Sequence, residues 1–358
     1  MAEVNALPAN GYKVASVFSG GGGSCLGYRM AGFNVVWANE FLLHAQQTYK
    51  DNAAAHSYMD PRDIKQVLAA DVLEKTGLST GELDVFDGSP PCQAFSTAGK
   101  LDKGWGKLKS YENGAKQKNE DLFLEYIRLL NDLQPKMFVA ENVSGMVRGV
   151  SKGYFLRYLE SMKMCGYKVV AKVLDAQWLG VPQRRRRVIF VGVRNDLNGT
   201  FQFPKPFAYR YSVKDAIEYA ELIVCNGTEN VATDLEHTYN ETISAEHSRI
   251  LCRCGWDAGK RRSLDLPCET VLTSGVGPRA LAGTYFARAG ETMPRRFHTN
   301  EIKAVCGYPN DFIFKGTESQ ICARLGNSVP PLMMLQVAKQ LKICLDQINE
   351  NKTNGTKD

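Results

Sequence analysis

Cys92 is the residue best placed in this chain for covalent chemistry. It lies in Gly88-Ser89-Pro90-Pro91-Cys92-Gln93, which follows the short apolar-acidic run Leu83-Asp84-Val85-Phe86-Asp87. Two consecutive prolines fix φ and remove two backbone donors, so the thiol is presented from a stiff, non-helical turn at the end of an expected strand. That place suits a nucleophile; it also suits a small buried apolar residue, which most free cysteines are. Three carboxylates have comparable settings. Glu40 closes the run Asn34–Asn39, Asp71-Val72 follows apolar Val67–Ala70, and Glu141 follows Lys136–Ala140. In an open parallel sheet, ligands bind beyond the carboxyl ends of the strands, so the four groups can share one cleft.

The elements that must position them alternate. The buried-strand pattern of Lys13–Phe18 leads into Ser19-Gly20-Gly21-Gly22-Gly23-Ser24, a helix from Cys25 to Ala31, and the strand that ends at Glu40, 18 residues beyond Gly22. Strand, glycine turn, helix, strand and acid form the pattern of a nucleotide-type α/β fold. The glycines let backbone approach a ligand, and an acid at the second strand's tip can take two ribose hydroxyls. The spacing fits a dinucleotide poorly and no Gly-Lys-Ser/Thr follows, so a ligand with a ribose but no pyrophosphate fits better. An amphipathic helix is expected over Asp121–Leu133, another over Tyr154–Met164, and strands over 167–174 and 188–193. After Asn195, residues 197 to about 294 have short segments and scattered prolines and glycines, as a smaller sheet-rich insertion has. A last helix is expected to about Leu345, then a frayed polar tail over 346–358.

The chain has 358 residues, a net charge of +6 and 44% hydrophobic residues, enough for a substantial core. Its N-terminus lacks the basic start and apolar core of a signal peptide, so its ten cysteines are expected to be free thiols in a reducing compartment. No apolar run is long enough to cross a bilayer. The charge is uneven: Lys100, Lys103, Lys107, Lys109, Lys116 and Lys118 stand against Asp102 and Glu112, and Arg184–Arg187 add four more cations. Such clusters are either solvated faces or the footprint of a polyanion, and the second reading gains weight where they flank a chemical site.

Taken together these residues resemble the DNA (cytosine-5) methyltransferases that use S-adenosylmethionine. Phe18-Ser19-Gly20-Gly21-Gly22 matches the family's cofactor loop, Pro90-Pro91-Cys92-Gln93 its nucleophile motif and Glu141-Asn142-Val143 its acid motif. Gln183-Arg184-Arg185-Arg186-Arg187 matches its arginine motif, and Arg296, Glu301 and Gly307-Tyr308-Pro309 the motif before the last helices. Gly326-Asn327-Ser328-Val329 completes a set that runs in family order from residue 14 to about 340. The resemblance implies a Rossmann-like α/β fold and a smaller target-recognition domain. It implies that the Cys92 thiolate adds to C6 of a flipped-out cytosine, and that Glu141 acts on N3 and the exocyclic amine from a place where burial can keep a carboxyl protonated. Gln93, Arg185 and Arg187 would complete the pocket. The cofactor would lie on Phe18, Ser19, Gly20, Gly22, Glu40, Phe41, Asp71, Val72 and Pro90, with Asn327, Ser328 and Val329 on its methionine side, leaving S-adenosylhomocysteine as product. Lys100, Lys103, Lys107 and Lys109 would contact the strand from a loop hinged on glycines. Thr270, Thr273, Arg253 and Arg279 would serve recognition, since arginine can pair two acceptors of guanine. Here the lysine-rich loop is longer than in many members, and Gln117–Asp121 replaces a commoner Asp-x-Arg element.

The expected organisation is a catalytic domain over 1–196 completed by 318–345, with target recognition and the following motif over 197–317. A stand-alone bacterial or phage enzyme is expected, a cytoplasmic monomer acting on double-stranded DNA, with a cognate restriction endonuclease as a separately acting partner and no metal. A zinc site at Cys252, Cys254, Cys268 and His247 is disfavoured by the one-residue spacing of the first pair. A tRNA methyltransferase is the nearest rival enzyme, and a silent DNA-binding relative is opposed by the retention of both Cys92 and Glu141.

Overall fold

A computed structural model of the chain describes residues 1–91, 109–110, 116–117, 119–217, 250–253, 262–273, 284–286 and 295–355. Two compact units emerge. The first comprises 1–174, 186–205 and 333–358, the second 175–185 and 206–332.

The first unit is built on seven strands: β1 (Lys13–Val17), β2 (Asn34–Asn39), β3 (Tyr58–Asp60), β4 (Val85–Gly88), β5 (Met137–Val143), β6 (Tyr167–Asp175) and β7 (Arg186–Arg194). They are ordered β3-β2-β1-β4-β5-β7-β6. The pairs from β3 to β5 are parallel and β7 runs antiparallel to β5. The strand order reverses direction at β1 and β4, where an open α/β sheet has its crevice. Both are almost wholly buried, which is why Val14-Ala15-Ser16-Val17 and Val85-Phe86 read as continuous runs rather than alternating ones.

Helices α1 (Gly23–Met30), α2 (Leu43–Asn52), α3 (Ala69–Thr76), α4 (Asn119–Leu133) and α5 (Lys152–Met164) follow strands or connect them. On α4, Leu122, Tyr126, Leu129 and Leu133 are all buried, the helical stripe that the sequence predicts. Phe123 stacks on Tyr158 of α5 with ring centroids 4.0 Å apart, and Tyr126 stacks on Phe86 of β4 at 5.0 Å. The Tyr126 hydroxyl donates to the Val139 carbonyl at 3.0 Å, so this bulky side chain is buried without an orphaned polar group.

Two expectations are corrected here. Residues 67–70 are not a strand: Ala69 opens α3, and the edge strand is β3, ten residues earlier. A strand as short as Tyr58-Met59-Asp60 carries no readable period. The tail is not frayed from 346, because the last helix, α8, runs from Pro331 to Gly355. Tyr12 donates to Asp346 at 2.7 Å, Asn349 donates to the Tyr12 hydroxyl at 3.0 Å, and Ile348 is 1% exposed. Tertiary partners thus hold a segment whose composition alone reads as polar and loose.

In the second unit, Arg262–Ser263, Ile250–Arg253, Thr284–Phe286 and Arg295–Arg296 form a four-stranded antiparallel sheet. Helices α6 (Thr299–Val305) and α7 (Glu318–Asn327) follow it. Among the described residues no helix is long and apolar enough to cross a membrane, and Cys25, Cys165, Cys268, Cys306, Cys322 and Cys344 are free thiols.

Candidate active site

The glycine loop leaves β1 through three left-handed residues: Phe18 at φ +53°, Gly20 at +55° and Gly22 at +94°. Such a run is natural for glycine and strained for phenylalanine. A Cβ built on Gly20 would meet nothing within 4 Å, so the loop's backbone faces open space there. Gly22 caps α1, whose N-terminus the loop feeds. The Ser19 N–H and hydroxyl both donate to the Asn39 carbonyl at 3.1 Å, pinning the loop to the end of β2.

Glu40 follows β2 and is 8% exposed. Its carboxylate accepts from the Gly20 N–H at 3.0 Å and the Leu42 N–H at 2.8 Å, so the acid is oriented by the loop it faces. Phe41 comes next and is half-buried. Asp60, the last residue of β3, is occupied by Arg62, with contacts of 2.6 to 3.2 Å. Asp63 caps a short turn, accepting from the Lys65 N–H at 3.1 Å. Asp71 lies instead in the first turn of α3. It accepts from the Leu68 N–H at 3.0 Å and pairs with Arg62 at 3.0 Å. The Leu68 N–H and then Arg62 hold its carboxyl below the usual range. Val72 is 1% exposed in the core. The carboxylates at the carboxyl end of the edge strand are therefore Asp60 and Asp63, whereas Asp71, expected just past a strand, lies on a helix.

The acid motif closes β5. Arg187 on the neighbouring β7 reaches the Glu141 carboxylate through Nε at 2.9 Å. The strand register explains the pairing: Ile189 stands opposite Glu141, and Arg187, two residues along, is its diagonal neighbour on the same face. Both side chains are largely buried, so each offsets the cost of burying the other. Asn142 donates to the Pro90 carbonyl at 3.2 Å, which ties the acid motif to the Pro-Pro turn. Gly88 enters that turn, and a Cβ there would stand 2.6 Å from the Tyr126 ring. Cys92, Gln93, Lys100, Lys103, Lys107 and Arg279 lie outside the described residues, as do Cys254 and His247. Lys109 and Arg253 are described only as strand backbone, Lys109–Ser110 pairing with Lys116–Gln117.

The arginine motif divides between the units, Arg184 and Arg185 in the second, Arg186 and Arg187 in the first. Arg185, 1% exposed, donates to the Gly326 carbonyl at 2.9 Å near the end of α7. A Cβ on Gly326 would come within 2.5 Å of the Leu272 and Thr273 backbone, so only glycine allows this approach. Gln183 accepts from the Val271 N–H at 3.1 Å, and the Thr270 hydroxyl donates to the Arg184 carbonyl at 2.7 Å. Arg184 itself faces Glu269 at 3.4 Å. Thr273 is exposed. Asn327 ends α7; Ser328 bonds the Tyr308 hydroxyl, and Val329 is buried.

This order of loop, turn, acid and arginines has a counterpart among known proteins, since the pattern of C-5 cytosine-specific DNA methylases matches residues 12–343. The chain belongs to that family. It is a DNA (cytosine-5) methyltransferase, and its family is dependent on S-adenosylmethionine. The methylase is 31% identical over 348 residues to the type II methyltransferase M.FnuDI of Fusobacterium nucleatum, covering 92% of this chain and 94% of that one. It is 29% identical to the type II methyltransferase M.HhaI of Haemophilus parahaemolyticus, covering 92% and 94%. In fold it is similar to a putative DNA modification methyltransferase of an Escherichia coli prophage, with a TM-score of 0.67, 22% identity and coverage of 94% and 99%.

The residues of the first unit fit the family's cofactor. An open glycine cradle and an oriented, acceptor-only carboxylate suit a nucleoside with a free ribose diol.

Proposed function

We propose that the methylase modifies C5 of a flipped-out cytosine in a short double-stranded site, with Cys92 as nucleophile. Thiolate addition to C6 makes C5 electron-rich, which an unmodified cytosine ring is not. Glu141 engages N3 and the exocyclic amine, and Arg187 holds its carboxylate in place. S-adenosylmethionine, when bound, supplies an electrophilic methyl group. Gly20 and Gly22 would give it backbone, Glu40 would take the ribose hydroxyls, Phe18 and Phe41 would pack on the adenine, and Asp63, three residues beyond β3, would take the role first expected of Asp71. Asn327, Ser328 and Val329 serve the methionine side. Arg185 organises the pocket through the α7 terminus, while residues 197–317 choose the site, with Thr270 and Thr273 placing loops and the lysines of 100–109 meeting phosphate. The enzyme acts as a monomer in the cytoplasm of a bacterial or phage-infected cell, beside a separate cognate endonuclease.

The observation that carries this reading is the Asn142–Pro90 hydrogen bond together with the Arg187–Glu141 pair, which fixes the acid motif relative to the Pro-Pro turn. The test is covalent trapping. Purified protein, S-adenosylmethionine and DNA containing 5-fluorocytosine should give a denaturation-resistant adduct, and Cys92→Ala should give none. An undiminished adduct from that variant would falsify the assignment. Bisulfite sequencing of DNA from expressing cells then reports the site.

A further inference from the structure

Asp87, the next-to-last residue of β4, is a fully buried carboxylate with no cation paired to it among the described residues. Its hydrogen-bond partners among the described residues are three hydroxyls. Ser16 donates at 2.8 Å and Ser24 at 2.9 Å to one oxygen, and Tyr28 donates at 3.2 Å to the other. Ser16 stands beside Asp87 in the β1–β4 register, two residues before Phe18. Ser24 lies in the first turn of α1, two residues after Gly22. Both ends of the glycine loop are therefore tied to a single oxygen of a single carboxylate, and the same residue is three positions from Pro90 in the nucleophile turn.

We propose that Asp87 is a positioning residue for cofactor binding, its ionised carboxylate clamping the two ends of the Phe18–Gly22 loop. The inference rests on the assignment of that loop to S-adenosylmethionine. The loop needs such a clamp, because three left-handed residues within five, one of them phenylalanine, persist only where surrounding contacts over-determine them. An ionised carboxylate accepts from all three hydroxyls; protonated, it becomes a donor at one oxygen and must lose or reverse a contact. Burial raises the Asp87 carboxyl to about 6, against the lowering effect of the three hydroxyls and with a smaller push from Glu141. Among the described residues the other titratable groups facing it are Cys25 and Tyr28 on α1, Tyr126 on α4 and Glu141 on β5. Burial raises Cys25 to about 12 and both tyrosines well above their usual value, so these three stay neutral near pH 6.

The test is calorimetric binding of S-adenosylhomocysteine to the intact protein between pH 5 and 8. The clamp requires affinity to rise at least fivefold as pH increases through about 6, with a proton released on binding near that pH. In Asp87→Asn the step should vanish and affinity at pH 7.5 should fall about tenfold; in Glu141→Gln the step should remain. Should Asp87→Asn fail to fold, Ser16→Ala and Ser24→Ala each remove one arm. Weaker binding at an unchanged melting temperature supports the clamp, and unchanged binding overturns it. A flat profile in the native protein, or a step that survives Asp87→Asn, also overturns it. Absence of S-adenosylhomocysteine binding at every pH overturns the cofactor assignment itself, whereas binding without the step removes only the clamp.

Discussion

Asp87 also makes a prediction about stability, opposite in sign to its effect on binding. A carboxyl held at about 6 in the folded protein and near 3.8 when unfolded binds more protons in the folded state between those values. Stability from this group is therefore present at low pH and lost as pH rises from about 4 to about 6. A shift of this size corresponds to about 3 kcal/mol. The native protein should lose about 2 kcal/mol of that relative to Asp87→Asn between pH 4 and pH 7, since at pH 4 the unfolded carboxyl is already more than half ionised, as read by urea unfolding at fixed ionic strength. No change in the difference would remove the buried charge from the account. A group that costs stability where the enzyme works is the kind retained for function. The sequence displayed Asp87 but not its setting, since its partners lie 71, 63 and 59 residues away. The placement of Glu40 just past β2 and of Glu141 near the end of β5 was legible because each strand has a clear apolar pattern. The strand expected before Asp71 is absent because the edge strand has three residues and leaves no pattern, while Val67-Leu68-Ala69-Ala70 imitates one.

At the scale of elements, the β1–glycine–α1–β2 order, the α4 stripe and the later strands were readable, being long enough to show a period. The end of α8 was not. Its last turns are polar in composition and are held by contacts with Tyr12 and Asn198, far away in sequence. Those contacts are testable. Ile348 fills space so close to Gly199 that a Cβ there would stand 2.6 Å from its side chain. Ile348→Ala should lower the unfolding free energy by about 2–4 kcal/mol, the usual cost of emptying a buried aliphatic site. Truncation after Leu345 should cost at least as much. Equal denaturant midpoints for the native and truncated chains would restore the picture of a loose tail.

For the whole molecule the telling quantity is charge. A net charge of +6 is modest for 358 residues, yet Lys100 to Lys118 holds an excess of four cations immediately after the nucleophile turn. If these lysines meet phosphate, each contact releases condensed counterions and steepens the fall of affinity with salt by about 0.9 in a log–log plot. Replacing Lys100, Lys103, Lys107 and Lys109 together by glutamine should flatten that slope by about 3 to 4 for duplex DNA, with S-adenosylhomocysteine present throughout. Affinity should fall alike on cognate and unrelated sequences, because phosphate contacts position the protein without reading bases. An unchanged slope would make this cluster a solvated face. A loss confined to the cognate sequence would instead move these lysines from backbone contact to base readout, the task now given to residues 197–317.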